Sequence, residues 1–247
     1  MQKTFEIIIS GQVQGVGFRP FIYGLAKQHQ LTGTVCNNQD GVLVKISATK
    51  DSAQNFLVEL LANAPTISVI QSQSISEIPY QKFDDFKIVP SEAKHQINIP
   101  LTPDFSICKS CKSEIRDSEN RRNGYAFTTC TNCGPRFSVT TKFPFERANT
   151  SVSAFKMCTA CEAEYANPDD KRFHSQTNSC HDCGIQLKLQ QHDGRQLDGN
   201  QKEQLQKVSE LIRNGSIIAL KNTNGYLLCC DAKNKLAIER LRHKKQR

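Results

Sequence analysis

The chain has 247 residues, of which 38% are hydrophobic and 23% charged, a balance typical of a soluble globular protein. No run approaches the ~20 apolar residues that span a bilayer, and the first residues lack the parts of a signal peptide. We therefore expect a cytoplasmic protein without membrane contact. The net charge of +8 favours anionic partners such as phosphates, nucleotides or RNA, with a solvated basic surface as the alternative.

Residues 1–91 predict a compact domain of strands and helices. Strand-like runs are TFEIIISGQV, TGTVCNN, GVLVKISA, ISVIQSQSIS and FDDFKIVP, and helical runs are PFIYGLAKQHQ and SAQNFLVELLANA. The second and third strands meet at a turn around Asp40–Gly41, which is a hairpin signal. The order β-α-β-β-α-β with one extra edge strand predicts a ferredoxin-like sandwich. The fold class of the chain is therefore predicted as α+β.

Two further regions follow a polar linker at residues 91–105. Residues 105–186 are rich in cysteine and show no helical or strand period. Residues 200–247 predict a helix ended by Gly215, a buried strand (SIIALKN), a second strand (YLLCC) and a second helix. These elements predict the start of an α/β domain that the chain does not complete, with an apolar sheet edge left exposed.

Four Cys-x-x-Cys pairs dominate the middle region. The first two pairs are separated by eighteen residues, and so are the last two. The last two pairs thus repeat the pattern of the first two at a distance of fifty residues. Each pair supplies two corners of a zinc tetrahedron, and four thiolates leave no open position, so we predict two structural zinc ions. The predicted ligands are Cys108, Cys111, Cys130, Cys133, Cys158, Cys161, Cys180 and Cys183.

Alternatives remain for this cysteine pattern. Ligands drawn from within each repeat are the simpler assignment, but the sequence leaves open a crossed one that joins the first pair to the fourth. Redox-active dithiols are a further alternative. His181 is interpreted as a bystander, and Gly134 and Gly184, which follow the second pairs, are expected to adopt positive φ.

A glycine-rich segment joins the first strand to the first helix. Gly15 and Gly17 allow the backbone to curl, so that successive N–H groups form an anion-binding nest at a helix N-terminus. The Arg19 guanidinium adds a fork that fits phosphate. The alternative is a ferredoxin-like fold with a vestigial loop. The predicted phosphate-binding residues are Gln14, Gly15, Val16, Gly17, Phe18 and Arg19.

The segment from Ile9 to Arg19 resembles the first signature of the acylphosphatase family. The segment Gly33-Thr-Val-Cys-Asn37, followed by Gly41 and a valine-rich strand, resembles the second signature of the same family. The resemblance implies that Arg19 binds the phosphate and that Asn37 orients the attacking water. Departures at Thr34, Leu43 and Thr49 concern packing or a turn more than the site.

The order of the three regions resembles the N-terminal part of the HypF family, the carbamoyltransferases of [NiFe]-hydrogenase maturation. This implies hydrolysis of carbamoyl phosphate by an acylphosphatase-type domain, zinc fingers, and a YrdC-like domain that uses ATP and Mg²⁺, with a HypE-like protein as partner. In the YrdC-like part, nucleotide phosphates are expected near Lys221, Lys244 and Arg247, within a basic cluster that includes Arg242 and Lys245. A solvated helix end is the alternative there.

Full carbamoyl transfer is not expected from this chain, because it stops inside the YrdC-like region and lacks the family's C-terminal transferase domain. The competing functional hypothesis is a zinc-finger module that binds RNA or a protein beside a vestigial acylphosphatase fold.

Overall fold

The computed structural model describes residues 2–91, 98–222 and 225–246. The chain divides into two compact units, Met1–Gly184 and Ile185–Arg247, and each is described by itself. Most of the first two predicted regions falls within the first unit. The boundaries proposed between those regions stay predictions.

The first part of the first unit is an α/β sandwich. Its sheet has the strand order β4-β1-β3-β2-β5, and all neighbours are antiparallel except β2 and β5, which are parallel. This topology confirms the predicted ferredoxin-like fold with an extra edge strand. The elements are β1 (Lys3–Gln12), α1 (Phe18–Gln28), β2 (Thr32–Asn38), β3 (Gly41–Ala48), α2 (Lys50–Ala62), β4 (Val69–Ile78) and β5 (Phe86–Ile88).

Alternation along β1 builds the core beneath the glycine-rich segment. Phe5, Ile7 and Ile9 are buried on one face of the strand, as the two-residue side-chain period requires. Phe56 and Leu60, one helical turn apart on α2, are buried against the same cluster. The end of β1 and the start of α1 are therefore held at fixed positions, which fixes the loop between them.

Two short helices lie in the cysteine-rich region, where we predicted no helical period. They are α3 (Lys109–Arg116) and α4 (Thr159–Ala166). Each begins directly after the first cysteine of a pair, and the Cys108 sulfur accepts a bond from the amide of Cys111 at 3.5 Å. Of the residues in α3 only Cys111 is buried. Both helices start at a cysteine pair and bury only one residue each. They therefore carry no apolar stripe, which is why the hydrophobic pattern did not predict them.

The second unit contains two helices and a hairpin: α5 (Gln201–Arg213), β6 (Ile218–Asn222), β7 (Gly225–Cys229) and α6 (Lys235–Lys245). A capping box between Asn200 and Glu203 starts α5. The prediction that the SIIALKN strand is buried is wrong, because a two-stranded ribbon leaves most of its surface open to solvent. Leu220, Tyr226 and Leu227 are exposed, which confirms the predicted apolar edge.

No helix within the described ranges combines the length and the apolar character needed to cross a membrane.

The two glycines that follow the second cysteine pairs serve different purposes. Gly134 has φ 91° as expected, whereas Gly184 does not have positive φ, so that expectation is wrong. A Cβ atom on Gly184 would lie 1.9 Å from the Tyr125 hydroxyl oxygen. Gly184 is therefore required by close packing and not by its backbone conformation.

Substitution of Gly184 by alanine is expected to destabilise the protein by about 1–3 kcal/mol through overpacking. Gly24→Ala is the matched control, because Gly24 lies within α1 and an added Cβ meets no atom within 4 Å. The control is expected to stabilise by about 1 kcal/mol through helix propensity. Urea unfolding of both variants measures the difference, and equal stability of the two would contradict the packing argument.

Candidate active site and zinc clusters

The glycine-rich loop adopts the curled backbone predicted for it. Gly15 and Gly17 have φ 74° and 76°, in the left-handed region that glycine adopts without strain. Gly17 is the N-cap of α1, and Arg19 lies in the first turn of that helix. The first amides of a helix have no intrahelical acceptors, so the loop presents donors suited to an anion.

Arg19 and Asn37 converge on one oxygen atom. Nη2 of Arg19 lies 3.4 Å from the Phe145 carbonyl oxygen, and Nδ2 of Asn37 donates to the same oxygen at 3.2 Å. Both side chains are buried. The structure thus brings together the two residues that the sequence nominated for catalysis, although Phe145 belongs to the cysteine-rich region.

A small cavity lies over the loop, with a volume of about 30 Å³, which is space for a few water molecules at most. Its walls come from both parts of the first unit. The first domain contributes Val13, Gly15, Gly17, Phe18, Arg19, Pro20 and Asn37, and the cysteine-rich region contributes Thr131, Arg136, Phe145, His174, Ser175 and Gln176.

Gln14 and Val16 do not line this cavity, although they were predicted to bind phosphate. Val16 packs in the hydrophobic core. The Gln14 amide nitrogen donates to the carbonyls of Asn38 and Gly41 at 2.7 and 2.8 Å, and its amide oxygen accepts from the Phe145 amide at 3.0 Å. The Gln14 side chain therefore ties the β2–β3 turn and Phe145 to the loop.

Arg136 is a residue that our sequence interpretation missed. Its buried guanidinium donates to the Gly15 carbonyl of the loop. It also donates at 2.9 to 3.1 Å to four carbonyls of the adjoining cysteine knuckle, those of Cys130, Thr131, Cys133 and Pro135. Burial lowers the pKa of Arg136 to about 10, which still leaves it charged at neutral pH. A signal existed: the first repeat continues Gly-Pro-Arg after its last cysteine, and the second does not.

Glu146 and His174 were also missed, and both stand at the site. The Glu146 carboxylate forms an ion pair with Arg19. His174 has φ 53° and stacks near Tyr165, with ring centroids 4.9 Å apart. Burial, with a further contribution from the Arg19 charge, lowers the pKa of His174 to about 4. The imidazole is therefore neutral at physiological pH.

This buried imidazole is expected to make the protein sensitive to acid. The pKa falls from 6.5 to about 4 on folding, so in that interval the unfolded chain binds a proton that the folded chain does not. Stability is thus lost as pH falls from about 6.5 towards 4. His174→Asn, which keeps a residue tolerant of positive φ, should show a smaller loss between pH 7 and pH 5 in zinc-containing buffer. Parallel pH profiles of unfolding free energy for the two proteins would contradict this.

The eight predicted ligand cysteines form two clusters, each drawn from one repeat. Within each cluster all four sulfur atoms lie within 4.8 Å of one another. The close pairs are 3.6 to 3.8 Å apart. A tetrahedral ion with Zn–S bonds of about 2.3 Å separates its sulfurs by about 3.8 Å. The sequential arrangement is therefore the one the chain adopts, and each cluster fits one zinc ion.

The electrostatics of the first cluster also favour a cation. Hydrogen bonds with Cys130 and Cys133 raise the pKa of Cys111 well above its usual range. Hydrogen bonds from Cys111 and Cys130 lower the pKa of Cys133 well below its own. Thiols packed this closely cannot all ionise unless a cation compensates their charge. Among the described residues, neither of the two metal-binding groups includes His181, whose Nε2 lies 2.8 Å from the Asn123 carbonyl oxygen, as expected of a bystander.

The two repeats are joined by a reciprocal pair of contacts, in which an arginine of each repeat binds a glutamate of the other. Nη1 of Arg122, from the first repeat, lies 2.9 Å from the Glu164 carboxylate of the second. Nη1 of Arg172, from the second repeat, lies 3.2 Å from the Glu114 carboxylate of the first. The two arginines occupy equivalent positions, fifty residues apart. The repeats are therefore related by an approximate two-fold exchange of contacts.

Each exchanged arginine also reaches the partner cluster. Nη2 of Arg122 is 3.6 Å from the Cys161 sulfur, and Nη2 of Arg172 is 3.9 Å from the Cys111 sulfur. Burial alone would raise the pKa of Glu164, but hydrogen bonds from Arg122 and a neighbouring arginine lower it to about 2. The carboxylate stays ionised, so the buried guanidinium keeps its counter-charge.

Arg172→Ala is expected to destabilise the first unit by about 2 kcal/mol, because the largely buried Glu114 carboxylate loses one of its two ion-pair partners, Arg172 and Lys171. The same change should accelerate zinc loss from the first cluster to a chelator, since the Cys111 sulfur loses a neighbouring positive charge. Arg116→Ala, at an exposed position of α3, is the matched control. Unfolding and zinc-release assays read both effects, and a variant that behaves like the control would refute the crossed link.

The predicted nucleotide residues lie in the second unit. Lys221 is on β6, with its Nζ 5.9 Å from the Tyr226 ring centre, and Lys244 is in the last turn of α6. Arg247 lies outside the described residues. This site stays a prediction.

Comparisons with known proteins match the whole chain. Family models match for acylphosphatase over residues 5–88, for the HypF finger over residues 107–140 and 157–190, and for a model described as telomere recombination, of the Sua5/YciO/YrdC group, over residues 210–247. The acylphosphatase of Pseudothermotoga lettingae is 40% identical over 93 residues, which cover 36% of this chain and 100% of that protein.

Longer relatives match from end to end of this chain. Carbamoyltransferase HypF of Synechocystis sp. is 42% identical over 247 residues, 100% of this chain and 32% of that protein. A crystal structure of full-length HypF in the phosphate- and nucleotide-bound form matches with a TM-score of 0.92 at 35% identity, covering 100% of this chain and 32% of that one.

A ferredoxin-like domain whose glycine loop, arginine and asparagine meet at one cavity defines an acylphosphatase-type protein. The chain belongs to the acylphosphatase family through its first domain, and over its whole length it is similar to HypF proteins. It spans about a third of the length of the HypF relatives that it matches. The hypothesis of an RNA-binding zinc-finger module is not favoured by these matches.

Proposed function

We propose that the first domain hydrolyses acyl phosphates and that carbamoyl phosphate is its substrate, as part of a carbamoyltransferase for [NiFe]-hydrogenase maturation. The observation that carries the proposal is the convergence of Arg19 and Asn37 on one oxygen position beside the glycine loop. The HypF relatives support carbamoyl phosphate as the acyl phosphate concerned.

The phosphoryl group would lie on the loop amides and the Arg19 guanidinium. These donors stabilise negative charge that grows on the phosphoryl oxygens in the transition state. A water oxygen attacks phosphorus, the bond to the acyl oxygen breaks, and carbamate leaves with the bonding electrons. The water proton passes to solvent, and so reactive an anhydride needs no dedicated general base.

Asn37 is suited to orient this water. Its Oδ1 is buried and, among the described residues, makes no hydrogen bond, although a buried acceptor usually has a partner. Its Nδ2 donates to Phe145, which fixes the amide so that Oδ1 is the free acceptor. A water that donates to Oδ1 has its lone pairs available for phosphorus, which is the arrangement that positioning requires.

The zinc ions would act as structural ions. Eight thiolates fill both coordination spheres, so no position is open for substrate or water. What the first zinc ion secures is the knuckle from which Arg136 reaches the Gly15 carbonyl. Thiolate clusters of this kind suit a reducing compartment, and we propose the cytoplasm.

Roles for the remaining predicted partners follow from the family. We propose that ATP with Mg²⁺ binds the YrdC-like part near Lys221 and Lys244, and that a HypE-like protein accepts the carbamoyl group from the complete enzyme. The matched region of residues 210–247 and the basic last turn of α6 support the nucleotide assignment.

The hydrolase proposal is tested by phosphate release from carbamoyl phosphate. Arg19→Ala and Asn37→Ala should each lower kcat by about 100- to 1,000-fold, the scale of losing one transition-state donor or the positioned water. Arg116→Ala and Asn55→Ala, both exposed, are matched controls that should keep full activity. Release that is unchanged in Arg19→Ala would exclude the proposed site.

A further inference from the structure

We propose that Glu146 is an internal competitor for phosphate at Arg19 and thereby sets the affinity of the site. The inference rests on the proposed function in one respect only, that Arg19 receives the phosphate. Glu146 is an affinity-determining residue and takes no part in bond making. Its carboxylate takes the place on Arg19 that a phosphoryl oxygen would take.

The first observation is the pairing itself. Nη1 of Arg19 bonds the Glu146 carboxylate, and the Ser91 hydroxyl donates to the same carboxylate oxygen. The Arg19 side chain is 8% exposed and that of Glu146 is 23% exposed. A partly desolvated charge pair of this kind is stronger than a surface pair, and a phosphate must replace it to reach the arginine.

The second observation is that the main chain around Glu146 is pinned. The Phe145 amide and carbonyl are both hydrogen-bonded, to Gln14 and Asn37. The Arg147 amide donates to the Gln176 amide oxygen at 2.7 Å, and its guanidinium donates to the Gln176 carbonyl at 2.9 Å. The backbone therefore stays in place when an anion arrives. Only the Glu146 side chain, which is partly exposed, can turn away.

The third observation is the size of the cavity. The space beside Arg19 that is open to water is only about 30 Å³, so the site has little room for an anion while the Glu146 carboxylate occupies the Arg19 guanidinium. Rotation of one side chain is the smallest movement that would open it. When the reaction is over, the carboxylate can return to Arg19 and displace inorganic phosphate, which favours product release.

Glu146 lies outside the region of the chain that matches the acylphosphatase family model, residues 5–88. The competitor thus belongs to the cysteine-rich region and acts on a site in the first domain. The matched region of residues 5–88 does not include this carboxylate, so we expect the present chain to bind inorganic phosphate more weakly than the same loop would alone.

The test is binding of inorganic phosphate to the full zinc-loaded chain by calorimetry. Glu146→Gln keeps the size of the side chain and removes its charge. Because a like charge next to an anion site costs several-fold to many-fold in affinity, Kd should fall by about tenfold. Ser91→Ala, which only loosens the carboxylate, should give a smaller fall. Glu119→Gln, at an exposed position, is the matched control and should leave Kd unchanged.

Kinetics with carbamoyl phosphate separate the competing roles. Our inference expects a lower KM in Glu146→Gln and a kcat that does not rise, since product release slows. Weaker or unchanged phosphate binding in Glu146→Gln would overturn it, because a residue that merely steadies Arg19 gives that result. A loss of turnover on the scale of a missing transition-state donor, roughly 100-fold, at unchanged Kd would likewise overturn it in favour of a catalytic residue.

Failure of the proposed function gives a different pattern. A chain that hydrolyses no acyl phosphate, yet binds phosphate more tightly in Glu146→Gln and not at all in Arg19→Ala, would refute the hydrolase and keep the competitor. Zinc content and thermal unfolding of each variant establish that it is folded.

Discussion

The buried guanidinium of Arg136 is the interaction on which the arrangement of the first unit depends. It bonds the carbonyl of Gly15 on one side and the carbonyls of a cysteine knuckle on the other. A buried cation is costly unless its donors are satisfied, so loop and knuckle must keep their relative position. The bond from Arg136 to Gly15 therefore ties the second wall of the candidate active site to the first.

The same requirement for compensated charge organises the two cysteine repeats. Arg122 and Arg172 each leave their own repeat and neutralise a glutamate and a thiolate cluster in the other. Neither repeat alone would satisfy its buried charges, and a buried charge without its partner is strongly destabilising. The pair therefore acts as one structural element, and that element carries Phe145 and Glu146 to the Arg19 loop.

The sequence predicted those features that local chemistry decides. The glycine loop, Arg19, Asn37 and the cysteine clusters are each encoded in a short run of residues whose purpose is readable from residue type and spacing. Glu146 could not be found this way, and the only local sign of Arg136 is the Gly-Pro-Arg run that distinguishes the first repeat from the second, because the partners of both residues lie more than a hundred residues away in sequence. The burial of β6 was misjudged for a related reason, since an apolar strand is buried only when another layer covers it.

The meeting point of Arg19 and Asn37 is a main-chain oxygen, the carbonyl of Phe145. Such an atom is present whatever side chain stands at that position. Alanine scanning would therefore not detect this contact, because replacement of Phe145 removes only the aromatic ring and leaves the carbonyl oxygen in place. Natural variation is equally unable to delete it, so this contact can persist while residue 145 itself drifts. An amide-to-ester exchange would not remove it either, and only a change in the path of the chain between the two cysteine repeats would.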